Sequence, residues 1–164
     1  MGEIEARLHA MGHAIPEVTP AVGNYVGAVR AGDLVFVAGH GPYRDGKWEF
    51  VGKLGRDLDV ATAQEAARLV ILNALASLKA EIGDLDRVVR IVRLFGMVNA
   101  MPDFTQHPAV IDGASDLLVE LFGERGRHAR AAIGMGSLPF GISVEIEMVV
   151  EVSPDRAVGT SGGR

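Results

Sequence analysis

Hydrophobic residues recur at steps of three and four over residues 59–82, and this spacing predicts a long amphipathic helix. The recurring positions are Val60, Ala63, Ala67, Val70, Ala74, Leu78 and Ile82. Asp59 stands where an N-cap would accept from the first backbone N–H groups, and Gly83 stands where the helix would end. Because the segment is rich in alanine, it can lie close against a sheet.

Two other segments have helical spacing. Residues 3–11 repeat apolar side chains at Ile4, Leu8 and Met11, which predicts a short surface helix within an N-terminal extension of residues 1–12. Residues 109–122 place apolar side chains on one face and predict a second main helix. Its inward positions are Val110, Leu117, Leu121 and Phe122.

The strands follow from β-branched and aromatic runs bounded by turn residues. The predicted strands are residues 24–30, 33–39, 86–99, 129–136 and 142–152, with a further short strand within 47–52. The first two form a hairpin. With strands and helices in this order, the sequence predicts an α+β fold: a single mixed sheet with two helices packed on one face.

Alternation along the last two strands predicts which side chains share a face. In residues 142–152 the even-numbered positions are mostly apolar and face the helices, and Glu145 and Glu147 face the other way. In residues 129–136 the apolar set Ala129, Ala131, Ile133 and Met135 is assigned to the core, with His128, Arg130, Ala132 and Gly134 opposite. Arg130 and Glu145 are therefore both expected to point away from the helices. They would be solvated charges on an open face, or line a cleft if another subunit covers it.

Composition narrows the function. With 164 residues, 48% hydrophobic and 23% charged, the chain is expected to form one domain over residues 1–153, with a frayed tail at 154–164. The net charge of -5 argues against nucleic acid as a partner. The chain has no cysteine, no apolar run long enough for a membrane helix and no signal peptide, so a cytoplasmic protein is expected.

Histidines and glycines point to no bound cofactor. His9, His13 and His107 lie in different segments without metal-ligand spacing, so no metal site is expected. No G-x-G-x-x-G follows a strand, which disfavours a dinucleotide.

Three blocks carry a resemblance to a known family. They are VGNYVGAVRAGDLVFVAG, NALASLKAEIGDLDRVVRIVR and HARAAIGMGSLPFGISVEIE, and they resemble the Rid (YjgF-like) superfamily, whose members are often called endoribonuclease L-PSP. The third block holds the specific pattern R-x-A-x-G-x-x-x-L-P followed by V-E-I-E. The resemblance covers about residues 20–152. The N-terminal helix and the segment FTQHPAVIDGASDLLVELFGERGRHAR are similar to those of one poorly characterised subgroup, whose fold is described as chorismate-mutase-like.

The resemblance implies a homotrimer whose sheets form a central barrel, with three ligand clefts between subunits. It implies hydrolysis of 2-imino acids to 2-keto acids and ammonia, as in a 2-iminobutanoate/2-iminopropanoate deaminase, without metal or organic cofactor. Arg130 would grip the substrate carboxylate, since a guanidinium fork binds a planar carboxylate bidentately. Glu145 would orient water or shuttle protons, and Tyr25 would close the cleft or donate a hydrogen bond. Gly39, His40 and Ser115 complete the implied site.

Some positions depart from the family pattern. The first long strand of the family commonly ends in Ser-Gly-Gln, whereas this chain has Ala38, Gly39 and His40. An asparagine that many relatives hold near the second helix is replaced by Asp112 or Ser115, and the sequence leaves both open. Asp112 beside a carboxylate site would repel an anion. Non-catalytic binding of small keto or amino acids is therefore the alternative function, and a ribonuclease or translation inhibitor is disfavoured by the acidic charge.

Overall fold

A five-stranded mixed sheet with helices on one face makes up most of the computed structural model, which describes residues 1–154. The helices are α1 (Glu3–Ala10), α2 (Val60–Ile82) and α3 (His107–Phe122), and the strands are β1 (Ala28–Ala31), β2 (Leu34–His40), β3 (Tyr43–Arg44), β4 (Lys47–Trp48), β5 (Val88–Asn99), β6 (Ala129–Met135) and β7 (Val144–Val152). The sheet order is β1-β2-β7-β5-β6. Only β5 and β6 run parallel, and β3 and β4 form a separate hairpin. The predicted α+β fold is confirmed.

Helix α2 forms the centre of the helical layer, and its predicted ends are confirmed. The Asp59 carboxylate accepts from the backbone N–H of Thr62 at 2.8 Å, and Gly83 ends the helix with φ 83°. Ala63, Ala66 and Ala67 are fully buried. Because these side chains are small, the helix axis can approach its neighbours closely, and α3 packs along it.

The N-terminal helix α1 docks on the main domain through both apolar and polar contacts. Ile4 and Leu8 are buried in the common core. The Asp86 carboxylate accepts from the backbone N–H groups of Glu3 at 2.7 Å and Ile4 at 2.8 Å, which lowers the pKa of Asp86. Arg7 donates to the Leu121 carbonyl of α3 at 2.8 Å. The predicted N-terminal helix is therefore present, and it packs on the same core as the two main helices.

Several predicted strands are shorter than expected. Strand β1 begins at Ala28 rather than at residue 24. Within 47–52 only Lys47 and Trp48 form a strand, and Phe50, with φ 50°, interrupts the extended backbone. Strand β7 begins at Val144 rather than at residue 142.

The side chains of β6 point to the opposite faces of the sheet from those predicted. Arg130 reaches α3, Ala132 packs on the core, and a Cβ at Gly134 would collide with His107 of α3. Ile133, assigned to the core from the sequence, is 40% exposed on the other face. The prediction failed because β6 is an edge strand with small residues on both faces, so its alternation is weak and contact with α3 decides its orientation.

The sheet face opposite the helices carries exposed apolar side chains. Val29 is paired across the sheet with Phe36, which is in turn paired with Val149, so these three form a continuous apolar band. Val29, Phe36 and Ile133 are all exposed in the single chain. Glu145 and Glu147 lie on the same face, as the alternation of β7 predicted. We call this surface the open face.

Two further predictions concerned the C-terminal tail and membrane-spanning helices. The predicted tail at 154–164 lies outside the described residues apart from Pro154. Within residues 1–154, no helix combines the length and apolar character needed to cross a bilayer.

Candidate functional site

The structure divides the predicted site residues into two clusters. The Arg130 cluster consists of Arg130, His128, Asp112 and Ser115, which meet where β6 packs on α3. The Glu145 cluster consists of Glu145, Gly39, His40 and Tyr25, which lie around the end of β2 and the start of β7. Each cluster has its own chemistry.

Arg130 is held firmly at one end of its guanidinium group. Its Nη1 donates to Asp112 Oδ1 at 2.8 Å and to Ser115 Oγ at 3.1 Å, so both N–H bonds of that nitrogen are engaged. The side chain is only 23% exposed. Within residues 1–154, no acceptor lies within hydrogen-bond distance of Nε or Nη2. The Nε–Nη2 edge therefore presents two parallel N–H donors, the arrangement that binds a planar carboxylate bidentately.

Asp112 and Ser115, the two residues that the sequence offered for the position of the family's asparagine, both contact Arg130. The two residues lie one turn apart on α3 and share one helix face. Asp112 supplies the charge and Ser115 supplies a neutral oxygen. The Arg130 guanidinium is consequently fixed in position and partly neutralised by this chain's own carboxylate.

His128 orients the Ser115 hydroxyl. The His128 Nδ1–H donates to the Gly126 carbonyl at 2.7 Å, because a carbonyl oxygen can only accept. Nε2 is then the acceptor for the Ser115 hydroxyl, 2.9 Å away. Burial, together with the nearby Arg130 charge, lowers the pKa of His128, which favours this neutral form. The Ser115 lone pairs are left to face Arg130.

Glu145 is a half-buried carboxyl group on the open face. Burial raises its pKa, and the neighbouring negative charge of Glu147 raises it further. The Glu145 carboxylate lies against Gly39, and a Cβ at position 39 would overlap it. Glycine at this position therefore makes room for the Glu145 side chain. A carboxylate with a raised pKa accepts a proton more readily than an ordinary one.

His40 is buried and points away from the open face. A register shift in β2 after Val37 turns His40 towards the helices, where it is 7% exposed. Its Nδ1 donates to the Ala38 carbonyl at 2.7 Å, and its Nε2 accepts from Ser77 Oγ at 2.8 Å. Burial lowers the pKa of His40. Both ring nitrogens are thus used internally.

Tyr25 is half exposed beside a narrow cavity of about 40 Å³. Gly39, His40 and Trp48 line the same cavity. The Tyr25 hydroxyl accepts from the backbone N–H of Val22 at 3.4 Å, a long contact. Tyr25 is therefore the exposed member of the Glu145 cluster, next to the glycine that accommodates Glu145.

Within one chain Arg130 and Glu145 point to opposite faces of the sheet. Arg130 is paired with Leu94 of β5 and points to the helical layer, whereas Glu145 is paired with Met97 and points to the open face. A ligand in contact with both side chains therefore requires Arg130 and Glu145 from different copies of the chain. The single chain supplies each half of such a site but does not assemble it.

Lys53 makes contacts that were not predicted from the sequence. The Lys53 ammonium donates to Asn99 Oδ1 at 2.6 Å and also to the Gly136 carbonyl. These contacts tie the loop after β4 to the ends of β5 and β6. Lys53 and Asn99 are 46 residues apart, and no local pattern in the sequence connects them.

Comparisons with known proteins cover most of the chain. The profile of the family described as "YjgF/chorismate mutase-like, putative endoribonuclease" matches residues 5–151. The protein called TCP17 from Trypanosoma cruzi is 41% identical over 153 residues, which cover 93% of this chain and 96% of that protein.

Two crystal structures are similar in both sequence and fold. A protein of unknown function from Agrobacterium tumefaciens is 46% identical, with a TM-score of 0.86 and 92% of each chain covered. A "putative endoribonuclease" from Shewanella oneidensis is 39% identical, with a TM-score of 0.89, covering 92% of this chain and 100% of that one. With the family profile matched over residues 5–151, the chain belongs to the YjgF/chorismate mutase-like family, as the sequence motifs indicated.

Proposed function

We propose that this protein hydrolyses small 2-imino acids to 2-keto acids and ammonia, with the carboxylate of the substrate bound by Arg130. The observation that carries the proposal is the state of the Arg130 guanidinium. Asp112 and Ser115 hold Nη1, while the Nε–Nη2 edge has no partner within the described residues. A fixed fork with a free edge fits a carboxylate ligand with little loss of side-chain freedom.

Glu145 is the candidate for moving protons. In its ionised form it accepts a proton from water as the oxygen adds to the carbon of the protonated imine, which gives a neutral carbinolamine and a protonated Glu145. Glu145 returns that proton to the carbinolamine nitrogen. The C–N bond then breaks as ammonia leaves, and the C=O bond of the keto acid forms as the hydroxyl group loses its proton to Glu145. Burial and then Glu147 raise the pKa of Glu145, so its carboxylate accepts a proton more readily than an ordinary carboxylate does.

The proposed site lies between copies of the chain. Arg130 and Glu145 lie on opposite faces of one sheet, so they can meet only across an interface. The apolar band of Val29, Phe36 and Val149 on the open face would be buried by a second copy, which favours association. We propose the homotrimer of the family as this assembly, with one cleft for each pair of neighbours.

The test is the rate of ammonia release from enzymatically generated 2-iminopropionate and from bulkier imino acids. Wild type is expected to accelerate release, and Arg130→Ala and Glu145→Gln are each expected to reduce it by about a hundredfold or more. Arg127→Ala removes a nearby, solvent-exposed arginine and serves as the matched control. No acceleration by a folded wild-type oligomer would exclude the deaminase.

The second candidate function is non-catalytic binding of small keto or amino acids. It is favoured by the Arg130 cluster, in which the Nε–Nη2 edge of Arg130 is available to a carboxylate without any contribution from Glu145. A thermal-shift series with 2-keto acids, comparing wild type with Arg130→Ala, tests binding separately from turnover. Stabilisation that depends on Arg130, without ammonia release, would support this function in place of the first.

The description of the family as an endoribonuclease leads to a direct control. Ribonuclease activity would need a surface that binds phosphates, whereas the chain carries a net charge of -5. We expect no cleavage of single-stranded RNA at physiological salt. Cleavage that disappears in both Arg130→Ala and Glu145→Gln would overturn the deaminase proposal in favour of a nuclease.

A further inference from the structure

We infer that Arg130 and Asp112 act together as a receptor for a zwitterion, and that the site selects the protonated imino or amino form of a small acid over the 2-keto acid. The inference rests on the proposed function to the extent that Arg130 binds the carboxylate. It adds a role for Asp112, which would bind the positively charged nitrogen on the neighbouring carbon of the same ligand. Asp112 thereby becomes a residue that determines specificity.

The Asp112 side chain is placed to make a second contact. Only its Oδ1 is used, in the 2.8 Å bond to Arg130 Nη1. Within residues 1–154, Oδ2 has no hydrogen-bond donor or cation beside it, and the Asp112 side chain is 50% exposed. Asp112 therefore keeps an acceptor oxygen free at the point where Arg130 keeps two donors free.

The two charges lie within one compact group. Nη2 of Arg130 shares the planar guanidinium with Nη1, so a carboxylate bound through Nη2 has the Asp112 carboxylate on its flank. A zwitterionic α-amino or 2-iminio acid carries its positive nitrogen one bond from the carbon that bears the carboxylate. The dipole of such a ligand is antiparallel to the dipole of the Arg130–Asp112 pair, which is the favourable arrangement.

A ligand that carries only a negative charge interacts less favourably with the Arg130–Asp112 pair. The positive charge of Arg130 is offset by Asp112, so a 2-keto acid gains one charge-assisted contact and is repelled by the adjacent carboxylate. This explains how an acidic residue can be accommodated beside a carboxylate site. Hydrolysis replaces the charged nitrogen of the ligand by a neutral carbonyl oxygen. The site therefore binds the keto acid product more weakly than the substrate, which favours product release.

The test uses two ligands of equal size that differ only at the α-position. Calorimetric titration of the full-length protein with 2-aminobutyrate and with 2-oxobutyrate near neutral pH is expected to show about tenfold tighter binding of the amino acid by wild type. In Asp112→Asn the amino acid should bind about tenfold more weakly and the keto acid severalfold more tightly, so the preference is lost. Asp116→Asn, at an exposed position of α3, is the matched control and should behave as wild type.

If Asp112 recognises the charged nitrogen of the ligand, Asp112→Asn will change the affinities for the amino acid and the keto acid in opposite directions. If Asp112 only steadies Arg130, Asp112→Asn will weaken both ligands by the same factor, and the inference is overturned. The electrostatic basis is checked further by adding salt, which should reduce the preference of wild type because Asp112 is half exposed.

A third variant distinguishes failure of this inference from failure of the proposed function. Arg130→Gln should abolish binding of both ligands if Arg130 captures the carboxylate. If Arg130→Gln has no effect, or if wild type binds neither ligand, carboxylate capture fails and the zwitterion inference fails with it. If Arg130→Gln abolishes binding but Asp112→Asn leaves the ratio of the two affinities unchanged, only the zwitterion inference fails.

Discussion

The carboxylate of Glu145 lies so close to Gly39 that a side chain at position 39 would occupy the same space. Glu145 belongs to β7 and Gly39 to β2, two strands that pair directly in the sheet. The orientation of the Glu145 side chain thus depends on the absence of a single Cβ on its neighbour.

Gly39→Ala should therefore reduce activity much more than stability. The added methyl group displaces the flexible end of the Glu145 side chain and leaves the backbone unstrained, so the melting temperature should change by only a few degrees. Misplacing the carboxyl should lower the rate of ammonia release by about tenfold or more. Gly136→Ala is the control, because a Cβ there would meet open space. Equal activity of Gly39→Ala and wild type would mean that Glu145 does not take part in the reaction.

The acid limb of the pH–rate profile should report Glu145. If the ionised carboxyl is the base, activity falls as the pH drops through its pKa, which burial and then Glu147 raise. Glu147→Gln removes the repulsive charge, lowers the pKa of Glu145 and should move the acid limb to lower pH. Glu151→Gln, farther along β7, should leave the limb in place. An acid limb that Glu147→Gln does not move would assign it to another group.

The open face should mediate assembly. Phe36→Glu places a charge in the apolar band and should convert the oligomer to a folded monomer that has lost ammonia release, since Arg130 and Glu145 then cannot meet. Light scattering coupled to size exclusion measures the mass, and circular dichroism verifies the fold. Val119→Glu changes an exposed apolar residue of α3 and should remain oligomeric and active. An active Phe36→Glu monomer would place the whole site within one chain.

His40 should make the fold sensitive to acid. Burial lowers the pKa of His40 in the folded state below its ordinary value of 6.5. Between pH 6.5 and the folded-state pKa, the unfolded chain therefore binds more protons than the folded chain. The contribution of His40 is complete above pH 6.5 and is lost as the pH falls through the folded-state pKa. His128 acts in the same direction, whereas the raised pKa of Glu145 acts in the opposite one.

The measurement is the free energy of unfolding by urea at a series of pH values between 7.5 and 5, for wild type and His40→Gln. The variant should be less stable at neutral pH by about 1–3 kcal/mol, because buried hydrogen bonds are lost, and its stability should fall less steeply with acid. His9→Gln, on the exposed side of α1, should follow wild type at every pH. Parallel curves for wild type and His40→Gln would show that His40 does not titrate on unfolding.

Local patterns in the sequence determined much of the fold. Helix α2 could be predicted with both ends because its apolar spacing, its Asp59 cap and its terminal Gly83 are all local features. The strong alternation of β7 likewise predicted that Glu145 faces away from the helices. The motif around Arg130 and Glu145 identified the family, because the motif is defined by residue types and spacings that can be seen in the linear sequence.

Only the tertiary structure decided where those residues meet. The face of β6 depends on α3, because an edge strand of small residues has too little hydrophobic contrast to orient itself. Asp112 and Ser115 could be separated in role only once both were seen on Arg130 Nη1. Contacts between distant segments, such as Asp112 with Arg130 or Gly39 with Glu145, depend on how strands and helices pack, and a linear pattern of residue types carries no record of that packing.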